Sequence, residues 1–158
     1  GRASTRSGAE GSSAPASSSE RPQIASTFGR SSAPRSAPAA TSGPRTFDQL
    51  RGDARDAFQA RRYDDAARAY EQASRMRPRD ASVWAGLGAA RMQGGDARAA
   101  IDAYRRAVSI EPRNVRYHVS IGRAFAAAGD RARARQAFEH ALQLDPNNRD
   151  ARTQLGRL

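Results

Sequence analysis

The chain has 158 residues, 38% of them hydrophobic, and a formal charge of +11 from 27 basic against 16 acidic side chains. That length accommodates one modest domain with a tail and excludes a large two-domain enzyme. Every basic residue is arginine and no cysteine is present, which excludes lysine Schiff bases, phosphate-loop lysines, thiolate nucleophiles, disulfides and cysteine-ligated metals. The positive surplus raises the expectation of an anionic partner without choosing among nucleic acid, lipid headgroups and acidic peptides.

The first element in chain order is a tail. Within residues 1–46, 31 are Ser, Ala, Gly or Pro, and Ile24 and Phe28 are the only large apolar side chains. Such a stretch cannot bury enough apolar surface to offset an ordering cost of about 1–2 kcal/mol per residue. It reads as a disordered linker, with Arg30-Ser31-Ser32 and Arg35-Ser36 as sites for a basic-directed kinase and Ile24 with Phe28 as a short docking motif; a plain spacer is the preferred reading. The chain opens on Gly1, so a preceding segment is expected. The compartment reads as cytoplasmic, or as periplasmic or membrane-tethered if a signal or anchor lies upstream. No apolar run approaches the roughly 18 residues of a membrane helix, so no membrane insertion is expected of these residues.

The second element is a repeat array. Beyond Thr46 the prolines are Pro78, Pro112 and Pro146, spaced 34 residues apart. The same period aligns Ala66, Ala100 and Ala134; Tyr70, Tyr104 and Phe138; Ala73, Ala107 and Ala141; Met76, Ile110 and Leu144; Leu50, Trp84 and His118; and Ala54, Gly88 and Gly122. Each unit reads as two helices. In the second, a stripe of Trp84, Leu87 and Met92 is broken at Gly94-Gly95-Asp96, where Asp96 caps the next helix, whose stripe is Ala100, Tyr104, Ala107 and Ile110. Gly129-Asp130 makes the break in the third unit, and Arg61-Arg62-Tyr63-Asp64 makes it in the first without glycine.

This pattern resembles the tetratricopeptide repeat family. Trp84-x2-Leu87-Gly88, Ala100, Tyr104, Ala107 and Pro112 carry the resemblance, echoed by Ile121-Gly122-x2-Phe125, Ala134, Phe138, Ala141 and Pro146. It implies an all-α fold: a short α-solenoid of three helix-turn-helix repeats over residues 47–146 (47–80, 81–114 and 115–148 by period), then a capping helix over 147–158. Asp53 in the slot of Leu87 and Ile121, and Ala57 in that of Phe125, lead us to expect weaker packing of the first helix. Arg91 stands where the family usually has tyrosine.

The candidate chemistry is sparse. Asp64 and Asp65 read as helix-start carboxylates, with Asp64 reaching Arg68, and His118 reads as a packing residue in the slot of Trp84. No nucleophile–base pair, metal-spaced set or cofactor motif is found, so no enzyme activity and no cofactor are expected. Some arginines are expected to pair locally, Arg75 with Glu71 and Arg105 and Arg106 with Asp102. The resemblance implies that others face a concave groove for a peptide or helix, lined by Arg51, Arg55 and Gln59, then Ser82, Ala85, Ala89, Met92 and Gln93, then Arg116, Val119, Ser120 and Arg123. Arginine at both ends and small or apolar residues between suit an acidic or carboxylate-bearing protein partner. One subgroup clamps the C-terminal carboxylate of heat-shock chaperones. Arg51 and Arg116 fall on its basic slots, but its asparagine slots hold Arg55 and Gly86 and its arginine slot holds Ser120, so that particular function is not expected. The rivals are electrostatic nucleic-acid binding, which lacks interleaved aromatics, and service as the interaction domain of a larger enzyme. Self-association through the array ends is a further expectation.

Overall fold

The computed structural model describes residues 43–158; the disorder, phosphorylation and docking readings of the tail fall before that point. Within it the chain forms seven helices and, among the described residues, no strand: α1 Phe47–Gln59, α2 Tyr63–Met76, α3 Ala81–Gln93, α4 Ala97–Ile110, α5 Val115–Ala127, α6 Arg131–Leu144 and α7 Arg149–Leu155. None of them is long and apolar enough to cross a membrane.

Local chemistry sets where the helices begin. Thr46 and Gln49 form a reciprocal capping box before α1. Asp80, Asp96, Asn114, Asp130 and Asn148 each accept a first-turn N–H at the starts of α3 to α7, contacts worth about 0.5–2 kcal/mol apiece. Only α2 starts without a side-chain cap; its N-cap is Arg62, and Asp64 and Asp65 in the first turn complement the helix dipole.

The turns inside the hairpins share one strained slot. Gly95 and Gly129 take positive φ, at 89° and 83°, and Arg61, one period earlier, is forced to φ 58°. A left-handed conformation costs a residue with a Cβ about 1–2 kcal/mol. Arg61→Gly is therefore expected to stabilise the array by up to about 1 kcal/mol, after allowance for the greater freedom of glycine in the unfolded chain. Gly129→Ala should destabilise it by a similar amount. Urea titrations of both variants check this, and a shift of the same sign in the two would contradict it.

Short turns fold α1 with α2, α3 with α4 and α5 with α6 into antiparallel hairpins, and each second helix packs on the first helix of the next unit. The first helices also touch along the array, α3 with α5 and α5 with α7, so they share one face. Alanine makes the close approach feasible: Ala54, Ala66, Ala73, Ala100, Ala107, Ala134 and Ala141 are all fully buried. The aromatic of each second helix fills the remaining space. A Cβ placed on Gly88 would lie 2.8 Å from the Tyr104 ring, and one on Gly122 would lie 2.6 Å from that of Phe138.

A further ladder ties each unit to the turn before it. Trp84 Nε1 donates to the Pro78 carbonyl at 2.9 Å, His118 Nε2 meets that of Pro112 at 2.7 Å, and Arg152 Nη2 donates to that of Pro146 at 2.6 Å. The three side chains are one period apart. A carbonyl can only accept, so Nε2 of His118 carries the proton. The His118 ring is buried and also stacks on His140 at 4.3 Å.

Some local expectations are corrected. Glu71 pairs across helices with Arg91 rather than with Arg75, so the arginine in the tyrosine slot joins α2 to α3. Arg68 meets Asp65, not Asp64, at 3.5 Å, and Asp65 also takes Arg62. Asp102 has no ion pair within 4.0 Å among the described residues. Met76 is 51% exposed, unlike its period-mates Ile110 and Leu144. Asp53 is solvent-facing and pairs with Arg45 at 3.1 Å. Leu87 in the same slot packs on the preceding hairpin through Ala57, Ala66 and Ala67; on α1 that face is open to water, where an acid suits it. α1 still buries Phe47, Leu50, Ala54 and Ala57.

Candidate functional site

The residues singled out from the sequence lie on the first helices α1, α3 and α5, of which α3 and α5 touch each other. On α1, Arg51 is half-buried with its guanidinium 5.5 Å from the Phe47 ring centroid, while Arg55 and Gln59 are exposed. On α3, Ser82 is exposed, and Ala85, Ala89 and Met92 are half-buried. Ala85 and Met92 pack on the cluster around Ile121 and Phe125 and so form an apolar floor. Gln93 lines a cavity of about 510 Å³ beside the first hairpin turn, with Arg61, Arg62, Tyr63 and Arg68 among its walls. On α5, Arg116 and Arg123 are exposed and Ser120 is half-buried; Val119 belongs to the core and supports the face from beneath.

At the α1 end a phenol joins the arginines. Burial pushes the Tyr70 hydroxyl above its ordinary pKa, and the adjacent charges of Arg55 and Arg51, with a hydrogen bond from Arg55, pull against that rise. The tip of the ring lies over α3 where Gly86 has no side chain: a Cβ there would fall 2.5 Å from Tyr70 Cζ. The space that an asparagine would occupy at Gly86 is thus already filled by Tyr70. Arg51 also faces Asp80. Partial burial alone would raise the Asp80 carboxyl, but hydrogen bonds from Ser82 and Val83, with the charge of Arg51, outweigh burial and hold it below the usual range. Among the described residues neither Arg51 nor Arg55 has an ion-pair partner within 4.0 Å. Two guanidiniums one helical turn apart, with a phenol beside them, present several N–H and O–H donors to an oxyanion.

The α5 end is built differently. Burial raises the Tyr104 hydroxyl, opposed by Ser120 and by the charge of Arg123. Arg123 Nη2 forms an ion pair with Asp150 Oδ1 on α7, 2.9 Å away. The sequence reading took in Arg123 but neither Asp150 nor Tyr70. Extending the period into the fourth unit puts Asp150 in the slot of Ser82 and Arg116, and that was the available signal. The period aligns Tyr70 with Tyr104 and Phe138, and nothing in the spacing tells where its hydroxyl emerges.

Two family models, each described as a tetratricopeptide repeat, match residues 52–115 and 115–148. The chain belongs to the tetratricopeptide repeat family. Among solved structures, the TPR domain of Arabidopsis OM64 is 22% identical with a TM-score of 0.66, over 70% of this chain and 92% of that one. The first TPR of Spaghetti (RPAP3), bound to the HSP90 peptide SRMEEVD, is 21% identical with a TM-score of 0.67, over 70% and 88%. The Yersinia enterocolitica type III secretion chaperone SycD, in complex with a peptide of the translocator YopD, is 21% identical with a TM-score of 0.65, over 73% and 93%. At such identities the likeness speaks for the fold. Among curated proteins none matches the chain.

Proposed function

We propose that this tetratricopeptide array is a protein-interaction module whose α1–α3–α5 face takes an extended peptide or helix of a partner, with acidic or carboxylate-bearing residues read by arginine. The mode is binding to a preformed surface. The observation that carries the reading is the pair Arg51 and Arg55, without ion-pair partners among the described residues and set beside the Tyr70 hydroxyl. The half-buried Ala85, Ala89 and Met92 provide the apolar stretch beyond it. Two neighbours in fold hold peptides, and one of those, SRMEEVD, is itself acidic.

The test is titration of the full chain with a fluorescent acidic peptide and, in parallel, with single-stranded and duplex nucleic acid at physiological salt. Arg51→Glu with Arg55→Glu is expected to weaken peptide binding by more than about tenfold, because like charges then face each other. Wild-type binding is expected to weaken as salt rises. An unchanged affinity in the double variant, with the fold intact by circular dichroism, would remove the reading. Tight, saturable nucleic-acid binding would replace it.

A further inference from the structure

The two ends of the shared face carry the same kind of cation in different electrostatic states. Arg55 and Arg123 occupy one slot of the repeat, two periods apart. Arg55 has no carboxylate partner among the described residues, whereas Arg123 is held by Asp150 at 2.9 Å. The acid is placed by a well-anchored element. Asn148 caps α7, Ala151 beside Asp150 is fully buried, Leu155 packs on the core cluster, and Arg152 bonds the Pro146 carbonyl. Both members of the pair remain accessible, with side-chain exposures of 45% for Arg123 and 62% for Asp150. An incoming ligand can therefore reach them. An acidic ligand at Arg123 must displace the Asp150 carboxylate while meeting its charge, whereas at Arg51 and Arg55 no carboxylate is in ion-pair contact, although the Asp80 carboxylate lies within the field of Arg51.

Resting on the function proposed above, we propose that Asp150 is a built-in competitor for Arg123 that gives the peptide-binding face a polarity. The acidic end of a partner peptide lies on α1, at Arg51, Arg55 and Tyr70, and its uncharged or basic part lies at Arg123 and α7; Arg116 at the start of α5, exposed and without an ion-pair partner among the described residues, stays available to a further acid. The capping helix thus acts as a specificity element as well as a stopper for the array, discriminating by repulsion against peptides acidic along their whole length.

The probe is fluorescent N-acetyl-hexaglutamate, acidic along its whole length, titrated at low salt into the wild-type 158-residue chain and its single-site variants. Asp150→Asn is expected to tighten binding by about three- to tenfold, the loss of both the competing and the repelling charge. Glu139→Gln, which makes the same change in net charge on α6, should alter affinity by less than about twofold. Arg123→Gln should weaken binding, by up to about the same factor, since it leaves the Asp150 charge unmatched, and adding Arg123→Gln to Asp150→Asn should abolish the gain. An Asp150→Asn effect no larger than that of Glu139→Gln overturns the proposal. Arg51→Gln with Arg55→Gln separates the two levels: if it weakens binding while Asp150→Asn does nothing, only the polarity is wrong. If it leaves binding unchanged, the function proposed for the face fails as well.

Discussion

Replacing Phe138 by alanine is expected to lower the stability of the array by about 3–5 kcal/mol, the largest effect of any single substitution considered for this chain. The ring is 0% exposed and belongs to the C-terminal core cluster with Tyr104, Ile121 and Phe125. Its neighbours Ala134, Ala141 and Ala151 are fully buried, and Gly122 meets it backbone to ring. Such a wall collapses poorly into a cavity, because methyl groups and backbone move only if whole helices move. Repeat arrays pass stability between neighbours, so the loss should be felt first in α5 to α7. Hydrogen exchange should show those amides losing protection well before those of α1 and α2, and chemical denaturation should give the total. A loss below about 1 kcal/mol, or one spread evenly along the chain, would contradict this account of the core.

Gly122→Ala is expected to destabilise as well, by about 1–3 kcal/mol, against the local preference of the helix. Alanine is favoured over glycine in a helix interior by roughly 1 kcal/mol. At Gly122, however, the added Cβ would stand 2.6 Å from Phe138 Cε1, and the ring has no solvent side into which to withdraw. Gly52 on α1 is the control: nothing lies within 4 Å of its Cβ position, so Gly52→Ala should stabilise by up to about 1 kcal/mol. The two core substitutions should also couple. Gly122→Ala on the Phe138→Ala background fills space instead of crowding a ring, so the double variant should lose less than the sum of the singles, by about 0.5–3 kcal/mol. Thermal melts of the four proteins measure this. Strict additivity would mean that the ring and the glycine do not meet.

Periodicity alone makes much of the fold legible. Proline at Pro78, Pro112 and Pro146, alanine at Ala66, Ala100 and Ala134, and aromatics at Tyr70, Tyr104 and Phe138 recur at one spacing because each unit solves the same packing problem. Where a unit lacks a neighbour, the slot no longer constrains the residue in the same way. Asp53 stands in a leucine slot on a solvent-facing surface and pairs with Arg45, and α1 buries four residues where α3 buries five and α5 six, in keeping with the weaker packing expected of the first helix. Arg61 took the glycine turn slot and kept the glycine-like φ, since the hairpin geometry dictates the backbone and the residue bears the strain.

The candidate site was legible to a lesser degree. The period places Arg51, Arg55, Arg116 and Arg123 on first helices, and their residue types state the charge on offer. Which of those charges is already matched depends on long side chains meeting across helices, and helical spacing carries no record of that. Local i,i+4 rules suggested Glu71 with Arg75 and Asp64 with Arg68, whereas the folded chain pairs Glu71 with Arg91 and Arg68 with Asp65. Arg123 with Asp150, and the Tyr70 ring over Gly86, likewise join residues far apart in the chain. Repeat identity, helix starts and the buried small-residue seams follow from the residues alone, because they are set by local hydrogen bonding and by a period that every unit repeats. The electrostatic state of the shared face follows only from packing, because it is fixed by which guanidinium and which carboxylate the stacked helices bring within a few ångströms of each other.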